Sequence, residues 1–427
     1  MNMYLFFVRA FNDIDHITPI VWKMKENQYP VAVYCLNPAY DLENDYRIDF
    51  LRKLDIEVDH IYKAFDQRLG SLHRILRSLT FLCFHVQRNI DNNARYRSSN
   101  WASKLGSYAE RTGLSLYKLS RKIFYGQNWA HDVLEQSGAK LLCFDWVRPK
   151  RFVVEVLLQS AKTMAIPVLS LPHGVFIYTK DLVLSKFREE GRIFDKYNHY
   201  DYVIVQNELF KSFISSSGVD GDKILVLGSA RYCDEWMRQN NKILPRVMKY
   251  NDENENTLKV VFMSTRFAYS IHVERMYRTL DILSSLDGLE VMIKPHTRTG
   301  KEGQFYENLP LPVVDQISSV ELCEWADVML VIGSSILIET QVQGKPVLYL
   351  KYLHDNTTLY EEFGACWTIH DEGELKDAVL SLQEDRKNVP YNDENVNQFI
   401  SEIIYGGPLE RDVLKDYVQF IVNCAQD

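Results

Sequence analysis

No two cysteines of this chain stand in a CxxC pair; the seven, among them Cys35, Cys83, Cys143 and Cys323, are scattered. That scatter speaks against a disulfide framework or a zinc ribbon and fits buried thiols in a reducing compartment. No apolar run approaches the roughly 18 to 20 residues needed to cross a bilayer. The opening MNMYLFFVRAFNDIDH meets Arg9, Asp13 and Asp15 after only a few apolar residues, so it lacks the pattern of a secretory signal. A cytoplasmic protein is therefore expected. Positive charge is also in deficit, with a net charge of -8, so the molecule as a whole does not attract nucleic acid and no nucleic-acid partner is expected. Internal repeats and low-complexity tracts are missing as well.

What is present is material for two cores. Single hydrophobic cores stop growing near about 250 to 300 residues, and the chain has 427, of which 46% are hydrophobic and 25% charged. Short apolar runs, each followed by turn residues and a helical pattern, recur as MYLFFV, VAVYCL, KLLCFD, VLSL, YVIVQ and ILVLG, then again as KVVFMS, EVMIKP, VMLVIG and VLYLK. Such alternation is the mark of βα units with parallel strands buried on both faces. Two series predict two Rossmann-like α/β domains, 1–245 and 258–395, joined through the polar run 250–257 and closed by helices over 396–427. One stretch, 70–125, breaks the rhythm. It is helical in pattern and rich in Arg and Lys, and it reads either as an insertion packed on the first sheet or as a surface that approaches anionic lipid or a lipid-linked acceptor.

Ligands of open parallel sheets bind beyond the carboxyl ends of strands, where helix N-termini favour anions. In the second series, Lys294, His296 and Arg298 follow one strand and offer donors to a phosphate. Gly333, Ser334 and Ser335 follow another, with Glu339 one turn on as an acceptor for ribose hydroxyls; Ser264 and Arg266 follow a third. In the first series, Asp234 follows ILVLGSARYC, where a carboxylate can attack an anomeric carbon or merely begin a helix; Glu235 is its reserve. Asp145 ends a strand, and Glu155 sits in a helical pattern as an acid/base or an ion-pair partner. His173, in Pro172-His173-Gly174, can polarise or deprotonate a hydroxyl. Asn12, Asp13, Asp15 and His16 close the first strand and spell DxD; two carboxylates in one loop do not complete a hard-cation site, so no metal is expected.

The His296 and Ser334-Ser335 elements look like the nucleotide site of bacterial CMP-sugar-using glycosyltransferases of GT-B architecture, although the chain reads Pro295-His296 where the sialyltransferases have His-Pro. VRAFNDIDHITPI and GSARYCDEW resemble the retaining β-Kdo transferases of surface polysaccharide synthesis. The resemblance implies two domains facing across a cleft and transfer of Kdo from CMP-Kdo through an Asp234 nucleophile. The carboxylate of that donor also needs a cation, for which Arg231 is the candidate, and the resemblance implies Asn12, Asp13, Asp15 and His16 on the side of a lipid-linked saccharide acceptor. CMP-Kdo is then a donor substrate, with no separate cofactor, and the basic stretch 70–125 is the candidate for peripheral contact of this cytoplasmic protein with the inner face of the inner membrane. Two alternatives share the plan: a CDP-glycerol-type polyol-phosphate transferase, suggested by PHG, and a UDP-sugar 2-epimerase-like isomerase, which needs no acceptor.

Overall fold

The computed structural model describes residues 3–66, 69–92, 100–175, 177–178, 194–248, 257–296, 305–306 and 309–426. The chain forms two compact units. The first comprises Met1–Gly174, Ile193–Leu244 and Arg411–Asp427; the second comprises Val175–Arg192 and Pro245–Glu410. All but Thr257 of the expected linker 250–257 lies outside the described residues.

The first unit holds a seven-stranded parallel sheet: β1 (Met3–Val8), β2 (Val31–Cys35), β3 (Glu57–His60), β4 (Ala139–Phe144), β5 (Val168–Ser170), β6 (Tyr202–Val205) and β7 (Ile224–Val226), in the order β3-β2-β1-β4-β5-β6-β7. Helices cover both faces, which is why β1, MYLFFV, and β4, AKLLCF, are almost continuously apolar and buried rather than alternating. Gly138, in the left-handed region at φ 62°, ends the helix Gln127–Ser137 and turns the chain directly into β4. The final helix, Val413–Cys424, returns to this unit, where the Tyr417 hydroxyl donates to the Gly228 carbonyl at 2.9 Å. The tail expected as one closing segment is therefore divided at Arg411, with the helix Asp393–Phe399 belonging to the second unit.

The break in the βα rhythm is a pair of long helices, Ser71–Asn92 and Asn100–Ile123, with its connection outside the described residues. Two glycines let their backbones approach: a Cβ on Gly113 would stand 3.1 Å from Cys83 Cβ, and one on Gly106 would stand 3.4 Å from Ile90. The pair is fixed to its unit by a Tyr62–Tyr117 hydroxyl contact of 2.8 Å, by an Arg77–Asp66 ion pair and by the Phe81 ring on His60.

The second unit holds a five-stranded parallel sheet: β8 (Leu258–Met263), β9 (Leu289–Lys294), β10 (Val328–Val331), β11 (Val347–Leu350) and β12 (Trp367–Ile369), in the order β12-β11-β10-β8-β9. Its core is separate, built from residues such as Val260, Phe262, Leu330, Leu348 and Leu382. Both units are thus Rossmann-like α/β sheets, as the sequence predicts.

Candidate acid-base centre and phosphate-type turns

Strand order reverses between β1 and β4, since β2 and β3 lie to one side of β1 while β5, β6 and β7 lie beyond β4. Such a switch point opens a crevice at the carboxyl ends of the strands. Four polar residues converge there. Arg9 follows β1, and Asp13 lies in the first turn of the helix Phe11–Glu26, where its Oδ2 accepts from the Arg9 and Ala10 amides at 2.8 and 3.1 Å. These contacts satisfy amides that the helix start leaves unpaired and set a negative charge at the positive end of the helix dipole. Asp145 follows β4 and accepts a two-pronged pair of hydrogen bonds from the Arg9 guanidinium, the Nε one at 2.9 Å. His173 follows β5, with Nδ1 2.7 Å from Asp13 Oδ1 and 3.2 Å from Asp145 Oδ2.

Both carboxylates are fully buried, whereas the His173 side chain keeps 35% of its surface exposed. Because Nδ1 itself is buried, that exposure belongs to the rest of the side chain. His173 is therefore the member of the set through which a ligand can be touched. Burial alone would lower its pKa, but the two carboxylates overrule it and raise it to about 9. Burial would likewise raise the Asp13 pKa, yet His173 and Arg9 hold it at about 2. Asp145 moves the other way, raised by burial and by the charge of Asp13 against the pull of His173 and Arg9. Groups driven apart in this way are the pattern of an acid-base site. Of the two actions expected of His173, a ring kept protonated at neutral pH favours polarising or protonating a substrate oxygen.

Asp13, Asp145 and His173 also offer one metal-ligating atom each, all within 4.8 Å of one another. In this structure the Arg9 guanidinium supplies the positive charge on Asp145. The DxD pair does not act together. Asp15 turns to Arg47 and to Arg231, the latter at 2.8 Å, while Arg47 also binds Asp45 with Nε to Oδ1 at 2.9 Å. His16 is buried beside this network, and burial together with the Arg231 charge lowers its pKa to about 3, leaving it neutral.

The other expected residues of the first unit stand elsewhere. Asp234 is exposed in the first turn of the helix Asp234–Ile243, and Glu155 is exposed in the first turn of Val154–Thr163. Acidic side chains are favoured in first turns with or without a ligand. Glu235 pairs with Lys23 at 2.5 Å. Asn12 is half-buried at the helix start. Arg231, expected on a donor carboxylate, pairs with Asp15 at 2.8 Å. Sequence reasoning missed Arg9 and Arg47. The strand-end rule itself points to Arg9, the residue directly after β1, whereas nothing in YRIDFLRK distinguishes Arg47 from a surface cation.

In the second unit, all strands run parallel, so the turns after β8, β9 and β10 leave one edge of the sheet, and β8 and β10 flank its reversal of order. Ser264 Oγ accepts from the Tyr306 hydroxyl at 2.7 Å, and its amide donates to the Lys294 carbonyl at 3.0 Å. Lys294 is buried with Nζ donating to the Asp315 carbonyl at 2.8 Å, and burial lowers its pKa. Arg266 is half-buried near the Tyr269 ring, and His296 is half-buried past the end of β9; Arg298 lies outside the described residues. Ser334 and Ser335 precede the short helix Ile336–Val342, on which Glu339 is buried. Gly333 adopts φ 158°, and a Cβ there would stand 2.9 Å from the Tyr178 hydroxyl, which donates to the Gly333 carbonyl at 3.2 Å. Gly333→Ala is accordingly expected to cost about 1–3 kcal/mol of stability, the range for overpacking. Denaturant midpoints should register the loss, with part of it restored in Gly333→Ala/Tyr178→Phe; an unchanged midpoint refutes the steric reading.

No family model and no curated protein matches the chain. Solved structures do. The chain is similar to the Methanocaldococcus jannaschii UDP-GlcNAc 2-epimerase in complex with UDP-GlcNAc and UDP, at 14% identity and TM-score 0.53 over 99% of this chain and 100% of that one. It is similar to the Neisseria meningitidis UDP-GlcNAc 2-epimerase bound to UDP-GlcNAc, at 13% identity and TM-score 0.53 over 100% of both chains. A glycotransferase of kitacinnamycin gives 13% identity and TM-score 0.52 over 99% of both. At these identities the likeness establishes the fold, a pair of Rossmann-like units of the GT-B kind.

Proposed function

We propose that this chain is an enzyme of nucleotide-sugar chemistry, an isomerase resembling the UDP-sugar 2-epimerases, with His173 as the acid that donates a proton to the substrate. The observation that carries the reading is the imidazole held with Nδ1 between buried Asp13 and Asp145 on a side chain that stays partly exposed. Inverting a carbon that bears hydrogen requires a base to take its proton and an acid to supply one on the other face, with no acceptor; the ring kept protonated is suited to the acid, and the base is a second group. Asp13 and Asp145 are positioning residues: they orient the ring and hold its proton. The likeness to structures bound to UDP-GlcNAc supports the substrate class. Within the second unit, the turns after β8, β9 and β10 are the place suited to phosphate.

Retaining transfer from CMP-Kdo remains the competing reading. It asks for a carboxylate at the reacting carbon, and its candidate, Asp234, is exposed in the first turn of a helix. Incubation in D2O decides between them. With UDP-GlcNAc, the expected NMR result is loss of the C2 proton signal and growth of a second epimer. Absence of exchange, together with CMP release from CMP-Kdo and a covalent sugar that disappears in Asp234→Ala, overturns the isomerase reading.

A further inference from the structure

The helix pair Ser71–Asn92 and Asn100–Ile123 carries ten of the seventeen large hydrophobic residues exposed among the described residues. On the first helix Leu72, Ile75, Leu79 and Leu82 recur in steps of three and four. Trp101, Leu105, Tyr108, Leu119 and Ile123 likewise fall on one stripe of the second. Neither stripe is the anchored side of its helix, which is marked by Arg77, Phe81 and Tyr117 in contact with the rest of the unit. Relative to the interhelical positions Cys83, Ile90, Gly106 and Gly113, each stripe is displaced in the same sense, by about 50° on the first helix and about 115° on the second at about 100° per residue. With the helices antiparallel, that displacement brings both stripes to the same side of the pair.

Charge follows the same plan. The two helices hold eight Lys and Arg against two acidic residues, Asp91 and Glu110, in a chain whose net charge is -8. Arg77 and Arg88 are engaged with Asp66 and Asp41. Lys104, Arg111, Lys118 and Lys122 are exposed and form a row along one flank of the apolar stripe. No helix among the described residues is long and apolar enough to cross a membrane.

We infer that this helix pair is a docking surface for an anionic lipid bilayer, lying in the plane of the interface with its apolar stripe among acyl chains and its cationic row at the headgroups. An apolar face bordered by long basic side chains matches that boundary, because their aliphatic stems remain in the apolar layer while the charges reach phosphate. Charge complementarity favours lipid over a second copy of the chain, which would bring two like-charged rows together.

The full chain should co-sediment with vesicles of 70% phosphatidylcholine and 30% phosphatidylglycerol, and far less with phosphatidylcholine alone. Replacing three cations, Lys104→Gln/Arg111→Gln/Lys118→Gln, should weaken the partition about hundredfold, as follows from roughly 1 kcal/mol for each basic residue near an anionic surface. Ile75→Gln/Leu79→Gln/Leu105→Gln should abolish it, and since all six positions are exposed, both variants should melt with the wild type. Equal binding to both vesicle types overturns the proposal, as does no binding to either. A dimer by light scattering that the apolar variant converts to monomer, without vesicle binding, overturns it in favour of a second copy.

Discussion

His173→Gln is expected to slow turnover about 10²- to 10⁴-fold, the usual contribution of a positioned acid or base, while leaving the protein folded. Glutamine keeps a polar group near the two carboxylates but cannot carry a proton to substrate. Exchange of the C2 proton of UDP-GlcNAc in D2O should fall in parallel; exchange retained within threefold of wild type removes His173 from the chemistry. The same substitution has a second, independent signature. A histidine whose folded pKa stands near 9, above its ordinary value of about 6.5, contributes stability that is fully present below pH 6.5 and is lost as pH rises through 9. Asp13, held near 2, contributes stability present above about pH 4 and lost as pH falls through 2. Thermal melting of the wild type should therefore decline from pH 6.5 to 9.5, and in His173→Gln that decline should be absent. An identical decline in both proteins shows that the ring is not held charged by Asp13 and Asp145.

Much of this centre is legible in the chain, because one rule suffices to find it: polar residues directly after an apolar run lie at the carboxyl edge of a parallel sheet. Asp13, Asp145 and His173 all satisfy the rule, and β1, β4 and β5 are neighbours. What the linear order conceals is pairing. Asp13 and Asp15 are two residues apart and invite a joint role, yet successive helical positions point about 100° apart per residue, so Asp13 faces the strand ends and Asp15 faces Arg47 and Arg231. Asp234 and Glu155 satisfy the same rule by residue type and differ by exposure, a property that the first turn of a helix leaves open. The helix pair over 70–125 is clear from its period, while the side that stays uncovered is set by Gly106, Gly113 and Tyr117, through contacts with residues far off in the chain.

Arg47 marks where that concealment matters most, and Arg47→Met should produce the largest loss of stability. Its side chain is wholly buried, bound to Asp15 and Asp45, stacked 3.9 Å above the Phe11 ring, and donating to the Phe11 carbonyl at 3.3 Å. Methionine restores much of the volume but leaves Asp45 without its cation and Asp15 with Arg231 alone. Breaking a buried pair from one side costs about 3–5 kcal/mol, which for a unit of this size lowers Tm by roughly 6–20 °C. The pH dependence identifies the cause. In the wild type Arg47 helps hold both carboxyls below their ordinary range against the opposing effect of burial, so their contribution is present above about pH 4 and is lost in acid. In the variant burial prevails for Asp45, whose neutral form becomes the stable one as pH falls, and the gap in Tm should narrow between pH 7 and pH 4. Arg47→Met/Asp45→Asn should recover part of the loss at pH 7. Because Arg47 also grips the start of the helix that carries Asp13, turnover should fall in Arg47→Met and stay low in the double variant, which restores stability without restoring that grip. A loss below about 1 kcal/mol, the scale of an exposed ion pair, contradicts the buried network as the fastening of that helix to the acid-base centre.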